Sequence, residues 1–162
     1  MNYHQYYPVD VVNGEGTRCT LFVSGCAHKC VGCHNASTIK PDSGHPYTEQ
    51  LEAQILRDLG DSRIHRDGLS LSGGDPLYPG NLEAVGRLVR RVKETYPDKD
   101  IWLWTGYVFE ELTEEQCEIV RYVDVLIDGP YVQSVRDISL PWRGSSNQRV
   151  LRLSEHSLLS VT

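Results

Sequence analysis

The sequence has no long apolar stretch, no run of basic residues and no low-complexity segment. Without roughly 20 consecutive apolar residues, no segment is expected to cross a bilayer as a helix. The first ten residues, MNYHQYYPVD, lack the charged and apolar regions of a secretory signal. A formal net charge of -6 argues against non-specific nucleic-acid binding, which depends on lysine and arginine. We therefore expect a cytoplasmic protein that binds neither membrane nor nucleic acid.

The cysteines lack the pattern of a disulfide framework, because their number, 5, is odd and three of them crowd one loop. We expect the other two, Cys19 and Cys117, to be buried as small hydrophobic residues. The sequence also lacks a linker or a shift in composition, and 162 residues is a single-domain length. One domain over 1–162 is predicted, with a flexible tail from about 154 to 162.

Short apolar runs alternate with helical patterns along the chain. The first predicted helix begins at Thr48 and ends at Gly60. The second begins at Asn81, which can cap it. The third begins at Thr113, where Gln116 completes a capping box. Strands are predicted at 19–23, 69–71, 101–104, 123–127 and 148–153. Alternating strands and helices indicate βαβ units, so we predict an α/β fold with a parallel sheet.

The unusual residues follow the predicted strands. Three cysteines follow the first strand, a Gly-Gly-Asp-Pro segment follows the second, 105–107 follow the third and 128–129 follow the fourth. The carboxyl ends of parallel strands lie along one edge of a sheet or barrel, where ligands bind. The four loops are therefore expected to build one site.

The segment CAHKCVGCHN places Cys26, Cys30 and Cys33 at CxxxCxxC spacing. A structural zinc site needs a fourth ligand, for which His28, His34 and Cys19 are candidates. The ferredoxin spacings are absent, which argues against simple electron transfer. Three thiolates can hold three corners of a [4Fe-4S] cluster and leave the fourth iron open to another ligand. Both a catalytic cluster and a non-catalytic zinc or iron-sulfur adaptor stay open at this point.

Several segments together resemble the radical S-adenosylmethionine (SAM) superfamily, and within it the activases of glycyl-radical enzymes. The resemblance lies in CxxxCxGC, SLSGGDPL, IWLWTGY, VLIDGPYV and WRGSSNQRV, and it covers residues 1–150. It implies an incomplete, TIM-like (β/α) barrel that is open on one side. It also implies one [4Fe-4S] cluster, held by Cys26, Cys30 and Cys33, and SAM as the second cofactor.

The resemblance further assigns cofactor contacts. Gly73, Gly74 and Asp75 would receive the ammonium group of SAM, and Asp128 would accept from the ribose, unless it only forms a turn. Gly32, Cys33 and His34 would lie near the adenine, unless His34 is a solvent-exposed loop residue. Two positions depart from the superfamily pattern, which commonly has an aromatic residue where Gly32 stands and glutamate where Asp75 stands. No side-chain acid or base is required.

The implied activity is that of an oxidoreductase. A reduced cluster would cleave SAM to methionine and a 5'-deoxyadenosyl radical, which would generate the glycyl radical on anaerobic ribonucleoside-triphosphate reductase. Reduced flavodoxin or a similar protein would donate the electron. The basic residues Arg18, Lys29 and Lys40 could bind that acidic donor, unless they are only scattered solubilising charges. A homodimer, or a heterotetramer with the reductase, is compatible with the resemblance. The alternative within the superfamily is a short enzyme that acts on a small heterocyclic substrate.

Weaker candidates come from three other segments. Thr105 and Tyr107 could touch the cofactor, while Trp102 and Trp104 are expected to pack in the core or against the sheet. The loop at 142–148, WRGSSNQ, reads as a polar turn by composition. By its resemblance to the activases, it could contact SAM or the partner reductase.

Overall fold

The computed structural model describes residues 1–33 and 35–153. His34 and the predicted tail at 154–162 lie outside the described residues. No helix in the described ranges has the length and apolar character needed to cross a membrane.

The fold is built on one open seven-stranded sheet with the order β3-β1-β2-β4-β5-β6-β7. Its strands are β1 (Asn2–Asp10), β2 (Arg18–Val23), β3 (His45–Pro46), β4 (Gly68–Gly73), β5 (Asp100–Trp104), β6 (Val125–Asp128) and β7 (Arg149–Arg152). The four central strands, β2, β4, β5 and β6, are parallel. The flanking strands β1, β3 and β7 are antiparallel to their neighbours. The predicted α/β class is confirmed.

Three helices connect the parallel strands: α1 (Glu49–Leu59), α2 (Leu82–Thr95) and α3 (Glu114–Val120). The Thr48 side chain caps α1, and Thr113 forms the predicted capping box with Gln116 at α3. Asn81 precedes α2 but does not cap it with its side chain. Its amide instead donates to the carbonyl oxygens of Ser24 and Asp75, at 2.8 and 3.0 Å. Those loop carbonyls are buried and need a donor.

Within the described ranges there are also four short 3-10 helices, at Ala36–Thr38, Pro79–Asn81, Phe109–Glu111 and Gln133–Val135.

The main core lies between the sheet and the three helices. Alternate strand residues such as Leu21, Leu71 and Leu103 are fully buried against helix residues such as Ile55 and Val89. Complete burial of such a side chain contributes about 1.5–3 kcal/mol to folding. Cys19 belongs to this core as predicted, whereas Cys117 is only partly buried. This core holds the parallel strands rigidly, so the loops at their ends start from fixed points.

The opposite face of the sheet carries a second, smaller cluster. Trp102, Val125 and Ile127 are buried there, with Trp104 and Trp142 packed against them. The packing role predicted for Trp102 is confirmed. Arg18 is fully buried beside it, with its guanidinium 5.5 Å from the Trp102 ring centroid and 2.7 Å from the Asp100 carboxylate. The expectation that Arg18 receives an electron donor is therefore wrong, while Lys29 and Lys40 are exposed.

Candidate functional site

A cavity of about 510 Å³ is lined by residues from all four loops that follow the parallel strands. Its described lining comprises Asn13, Phe22, Cys26, His28, Cys30, Cys33, Asn35, Ser72, Gly73, Gly74, Trp104, Thr105, Gly106, Gly129, Tyr131, Arg136, Ile138, Trp142, Arg143, Gly144 and Gln148. The parallel topology brings the strand ends to one edge, and the loops converge there. The structure thus brings together the cysteines, Gly73, Gly74 and Thr105, which lie far apart in the sequence.

The three cysteines of the motif lie in the loop after β2, which we call the cysteine loop (residues 24–35). Its start is held by backbone hydrogen bonds from Gly25 to Thr38 and from Cys26 to Ile39, at 2.7 and 3.0 Å. All three thiols are free. Burial, and to a smaller extent the nearby Asp75 carboxylate, raises the pKa of the Cys26 thiol to about 11. A metal is the natural partner for such a thiol, because its charge stabilises the thiolate.

The described cysteines bring three thiols to this cavity. Cys19 is buried in the core, with its Sγ 3.5 Å from the Pro8 carbonyl oxygen, and Cys117 lies on α3. Neither lines the cavity. His28 lines it, but its Nε2 lies 2.7 Å from an Asp75 oxygen. His28 would have to leave that carboxylate to complete a zinc site through Nε2, and His34 lies outside the described residues.

A different trio can also be considered as a metal site. Ligand atoms of Cys26, His28 and Asp75 lie within 4.8 Å of one another. This set omits Cys30 and Cys33, which line the same cavity. It would also compete with the hydrogen bonds that Asp75 already accepts. The three-thiol set accounts for the motif better.

Gly73 and Gly74 pack directly against the cysteine loop and the end of β2. Gly74 N donates to the Val23 carbonyl at 2.8 Å, and Asp75 N donates to the Gly25 carbonyl at 2.7 Å. Gly73 has a φ of 109°, and a Cβ there would lie 2.4 Å from the Val23 oxygen. Only glycine fits such a position, so backbone groups are presented to the cavity.

The Asp75 carboxylate is fully buried and is surrounded by protein donors. One oxygen accepts from Leu77 N and from the Thr105 hydroxyl, both at 2.9 Å. The other accepts from Gly106 N at 2.9 Å and from His28 Nε2 at 2.7 Å. Asp75 is not among the lining residues, unlike Gly73 and Gly74. In this structure the carboxylate joins three loops to each other.

Asp128 is likewise occupied by protein groups. It is buried, accepts from Phe109 N at 2.9 Å and pairs with the Arg149 guanidinium at 2.5 and 3.0 Å. Asp128, and then Glu110, raises the pKa of Arg149. The neighbouring Gly129 lines the cavity, whereas Asp128 does not. The contacts of Asp128 with Phe109 and Arg149 are those of an aspartate that stabilises a turn.

Gly32, predicted to lie near the adenine, is exposed and has a φ of 76°. A Cβ there would lie 3.1 Å from the Gln133 side chain, so the cysteine loop touches the segment after β6 at this point. Gly32 is not part of the cavity lining, whereas Cys33 is.

An aromatic and basic wall of the cavity was predicted from the sequence only in part, through the loop at 142–148. It contains Trp104 and Trp142, joined by a 2.7 Å hydrogen bond from the Trp104 indole N–H to the Trp142 carbonyl, with Arg136 and Arg143 beside them. The Arg143 Nε is buried without a hydrogen-bond partner among the described residues. Trp142 has a φ of 65°, a rare conformation that often marks functional sites. The sequence feature that pointed to this wall was the pair Trp142-Arg143 inside the polar loop at 142–148.

The lining has a marked charge asymmetry. Two of the described lining residues are arginines, and none is an aspartate or a glutamate. A cavity lined by thiols and guanidinium groups, with no carboxylate among its described lining residues, suits a ligand that carries a carboxylate.

Comparisons with known proteins agree with this arrangement. The family model described as "4Fe-4S single cluster domain" matches residues 12–151. The anaerobic ribonucleoside-triphosphate reductase-activating protein of Vibrio cholerae is 60% identical over 154 residues, covering 95% of this chain and 99% of that protein. The protein of the same name in Escherichia coli K12 is 58% identical over 153 residues, with 94% and 99% covered.

A more distant relative with that name comes from Enterobacteria phage T4. It is 50% identical over 150 residues, which cover 93% of each chain. Identity of this level over nearly the whole length shows the family. The chain belongs to the anaerobic ribonucleoside-triphosphate reductase-activating proteins and carries their single-cluster 4Fe-4S domain.

Proposed function

We propose that this protein is an oxidoreductase that activates an anaerobic ribonucleoside-triphosphate reductase by using one [4Fe-4S] cluster and SAM. The observation that carries the proposal is the grouping of three free cysteines and two backbone-exposing glycines around one cavity. The names of the relatives supply the protein substrate. The family model supports the cluster.

The donor set fits a cluster with three protein ligands. Cys26, Cys30 and Cys33 all line the cavity, and the two remaining cysteines lie elsewhere in the fold. When bound, the reduced cluster supplies the electron that splits SAM into methionine and a 5'-deoxyadenosyl radical, which removes a hydrogen atom from a glycine of the reductase. The side chains then have to bind, orient and shield, and none has to act as an acid or base.

The cavity also fits SAM. Its volume of about 510 Å³ lies within the range of roughly 300–1,000 Å³ typical of small-molecule sites. We assign the ammonium group to the backbone at Gly73 and Gly74. The negative charge of Asp75, which lies outside the cavity lining, would favour that ammonium group from a distance. We assign the carboxylate to Arg143, whose Nε is buried without a partner among the described residues.

The adenosine half of SAM has two sets of candidates. Gly32, Cys33 and His34 are our candidates on the adenine side, and Trp104 and Trp142 add aromatic faces on which a base can stack. Asp128 would reach a ribose only by giving up part of its pairing with Arg149. We therefore propose that Asp128 acts mainly by holding the end of β6, next to the cavity residue Gly129.

The fold is compatible with an incomplete barrel. Four parallel strands with three helices are the repeating units of a (β/α) barrel, and the sheet is open. An open side would admit a polypeptide segment that bears the target glycine. An electron donor such as reduced flavodoxin would approach the cysteine loop, near which Lys29 and Lys40 are exposed.

The deciding experiment is anaerobic electron paramagnetic resonance of the reconstituted protein mixed with the reductase, SAM and a reductant. We expect a glycyl doublet on the reductase, and no doublet when Cys26, Cys30 and Cys33 are all replaced by alanine. Stoichiometric zinc without iron in anaerobically purified protein would falsify the proposal. SAM cleavage without the doublet would favour the small heterocyclic substrate, and neither signal would favour the adaptor.

A further inference from the structure

His28 lies in the middle of the cysteine loop, between Cys26 and Cys30, but its ring is held by a different part of the protein. Its Nε2 lies 2.7 Å from the Asp75 carboxylate, which belongs to the loop after β4, 47 residues away. The His28 side chain is 16% exposed and the Asp75 side chain 1% exposed. The pair is therefore largely shielded from water, and its hydrogen bond is stronger than one on the surface.

The same carboxylate also reaches the loop after β5. It accepts from the Thr105 hydroxyl and from Gly106 N, at 2.9 Å each. One buried group thus joins the loops that follow β2, β4 and β5. The His28 contact adds a side-chain link to the cysteine loop, beyond the backbone hydrogen bond from Asp75 N to the Gly25 carbonyl at the start of that loop.

The surroundings of the His28 ring are shaped to receive it. A Cβ at Gly106 would lie 2.5 Å from Cδ2 of His28, so the absence of a side chain at Gly106 makes room for the ring. The Tyr107 ring packs edge-on against the imidazole, with the centroids 4.4 Å apart. A histidine that merely pointed to solvent would need neither feature.

We propose that His28 is a positioning residue that fixes the cysteine loop against the loops after β4 and β5 through Asp75. The inference rests on the proposed function, because it gives His28 the task of holding Cys26 in a set position relative to Gly73 and Gly74. The cluster ligands and the groups assigned to SAM then keep one geometry before either cofactor is bound. Backbone hydrogen bonds to Thr38 and Ile39 hold the start of this loop, at Gly25 and Cys26, and His28 adds a contact within the six residues between Cys26 and Cys33.

Replacement of His28 should leave the fold intact. Asp75 keeps its donors from Leu77, Thr105 and Gly106, so no buried carboxylate is left without hydrogen bonds. The variants are His28→Ala, which removes the link, and His28→Gln, whose amide can still donate to Asp75. The matched control is His65→Ala, because His65 also faces an aspartate, Asp67, at 3.3 Å but is 75% exposed.

Two measurements test the role. In the metal-free full-length chain, amide hydrogen exchange of the cysteine loop should be faster by several-fold in His28→Ala, partly restored in His28→Gln and unchanged in His65→Ala. In the anaerobically reconstituted protein, His28→Ala should keep its iron content. The SAM concentration that half-converts the spectrum of the reduced cluster should rise about tenfold. A loss of affinity of this size is expected when one buried, charge-assisted hydrogen bond is removed.

The outcomes separate the inference from the proposed function. Exchange and SAM dependence in His28→Ala equal to those of the wild type would overturn the positioning role alone. Loss of iron from both His28 variants would indicate that His28 is a metal ligand, and this result would also overturn the positioning role. If the wild-type spectrum does not respond to SAM at all, the proposed function fails first.

Discussion

Gly74 faces the carbonyl oxygen of Gly25 so closely that a Cβ at position 74 would lie 2.5 Å from that oxygen. The loop after β4 and the cysteine loop therefore pack backbone against backbone. A hydrogen bond of 2.7 Å from Asp75 N to the same Gly25 oxygen joins them. The start of the cysteine loop and the segment Gly73 to Asp75 thus form one backbone-packed unit.

Gly74→Ala is expected to destabilise this unit. The added methyl group would meet the backbone oxygens of Gly25 and Thr38, which cannot move without breaking hydrogen bonds. Overpacking of this kind costs about 1–3 kcal/mol, so the Tm of the metal-free protein should fall by several degrees. Gly80→Ala is the control, since nothing lies within 4 Å of a Cβ there. Equal melting curves for the two variants would contradict the argument.

Single Cys26→Ser, Cys30→Ser and Cys33→Ser variants should each lose most of the iron that anaerobic reconstitution puts into the wild type. Three thiolates are the whole set that the described cysteines bring to the cavity, so no other can replace the lost one. Iron analysis and the visible absorption of the protein measure the effect. Cys117→Ser, remote on α3, should retain the wild-type iron content. Full iron in any of the first three variants would remove that cysteine from the ligand set.

Arg143→Gln should weaken SAM binding by about tenfold to a hundredfold. Its Nε is buried without a partner among the described residues, and a carboxylate would provide the missing acceptor with a charge-assisted bond worth about 1.5–3 kcal/mol. Titration of the reduced cluster signal with SAM gives the apparent Kd. Arg63→Gln serves as control, because Arg63 is 87% exposed and pairs with Asp61 on the surface. An unchanged Kd in Arg143→Gln would assign the carboxylate to another group.

Acid should loosen the segment between β1 and β2 that brings Asn13 to the cavity. Burial alone would raise the pKa of Asp10, but hydrogen bonds from Thr20, Asn13 and the Val12 N–H outweigh it and lower the pKa. The folded-state pKa lies below the ordinary value of 3.8, so this contribution to stability is present above that value and is lost as the pH falls through the folded pKa.

The measurement is the Tm of the wild type and of Asp10→Asn from pH 6 down to pH 3. The wild type should be the more stable protein at pH 6, and the difference should shrink towards pH 3. Asp42→Asn, at an exposed position, should follow the wild type over the whole range. A difference between wild type and Asp10→Asn that stays constant with pH would refute the role given to this carboxylate.

Local patterns predicted the central part of the fold. The apolar runs that became β2, β4 and β5 and the caps at Thr48 and Thr113 are local signals, and the structure uses them. The run that became β1 gave no such signal. Its residues are half-buried or exposed, it contains Pro8, and it is held as a strand by pairing with β2. Asn81 does not cap α2, because its side chain is oriented by donating from its amide nitrogen to the Asp75 carbonyl, six residues away, and to the Ser24 carbonyl, 57 residues away.

The position of the site was predictable from the sequence, but the direction of its side chains was not. Parallel strands had to bring the four loops together, and they line one cavity. Both the sequence and the structure place Asp75 and Asp128 next to the cavity. Neither is a lining residue, and their carboxylates are held by His28 and Arg149, partners 47 and 21 residues away in sequence. Such pairings depend on the tertiary structure, and no local spacing indicates them.

The antiparallel strand β7 sets a limit on how this architecture can grow. By pairing with β6 along Val125–Asp128, it uses the hydrogen-bonding edge that a further parallel strand would need. Additional strand-helix units inserted after β6 would have to displace β7, while units appended after β7 would lie outside the parallel series. The parallel series could therefore be extended at this edge only by an insertion between β6 and β7.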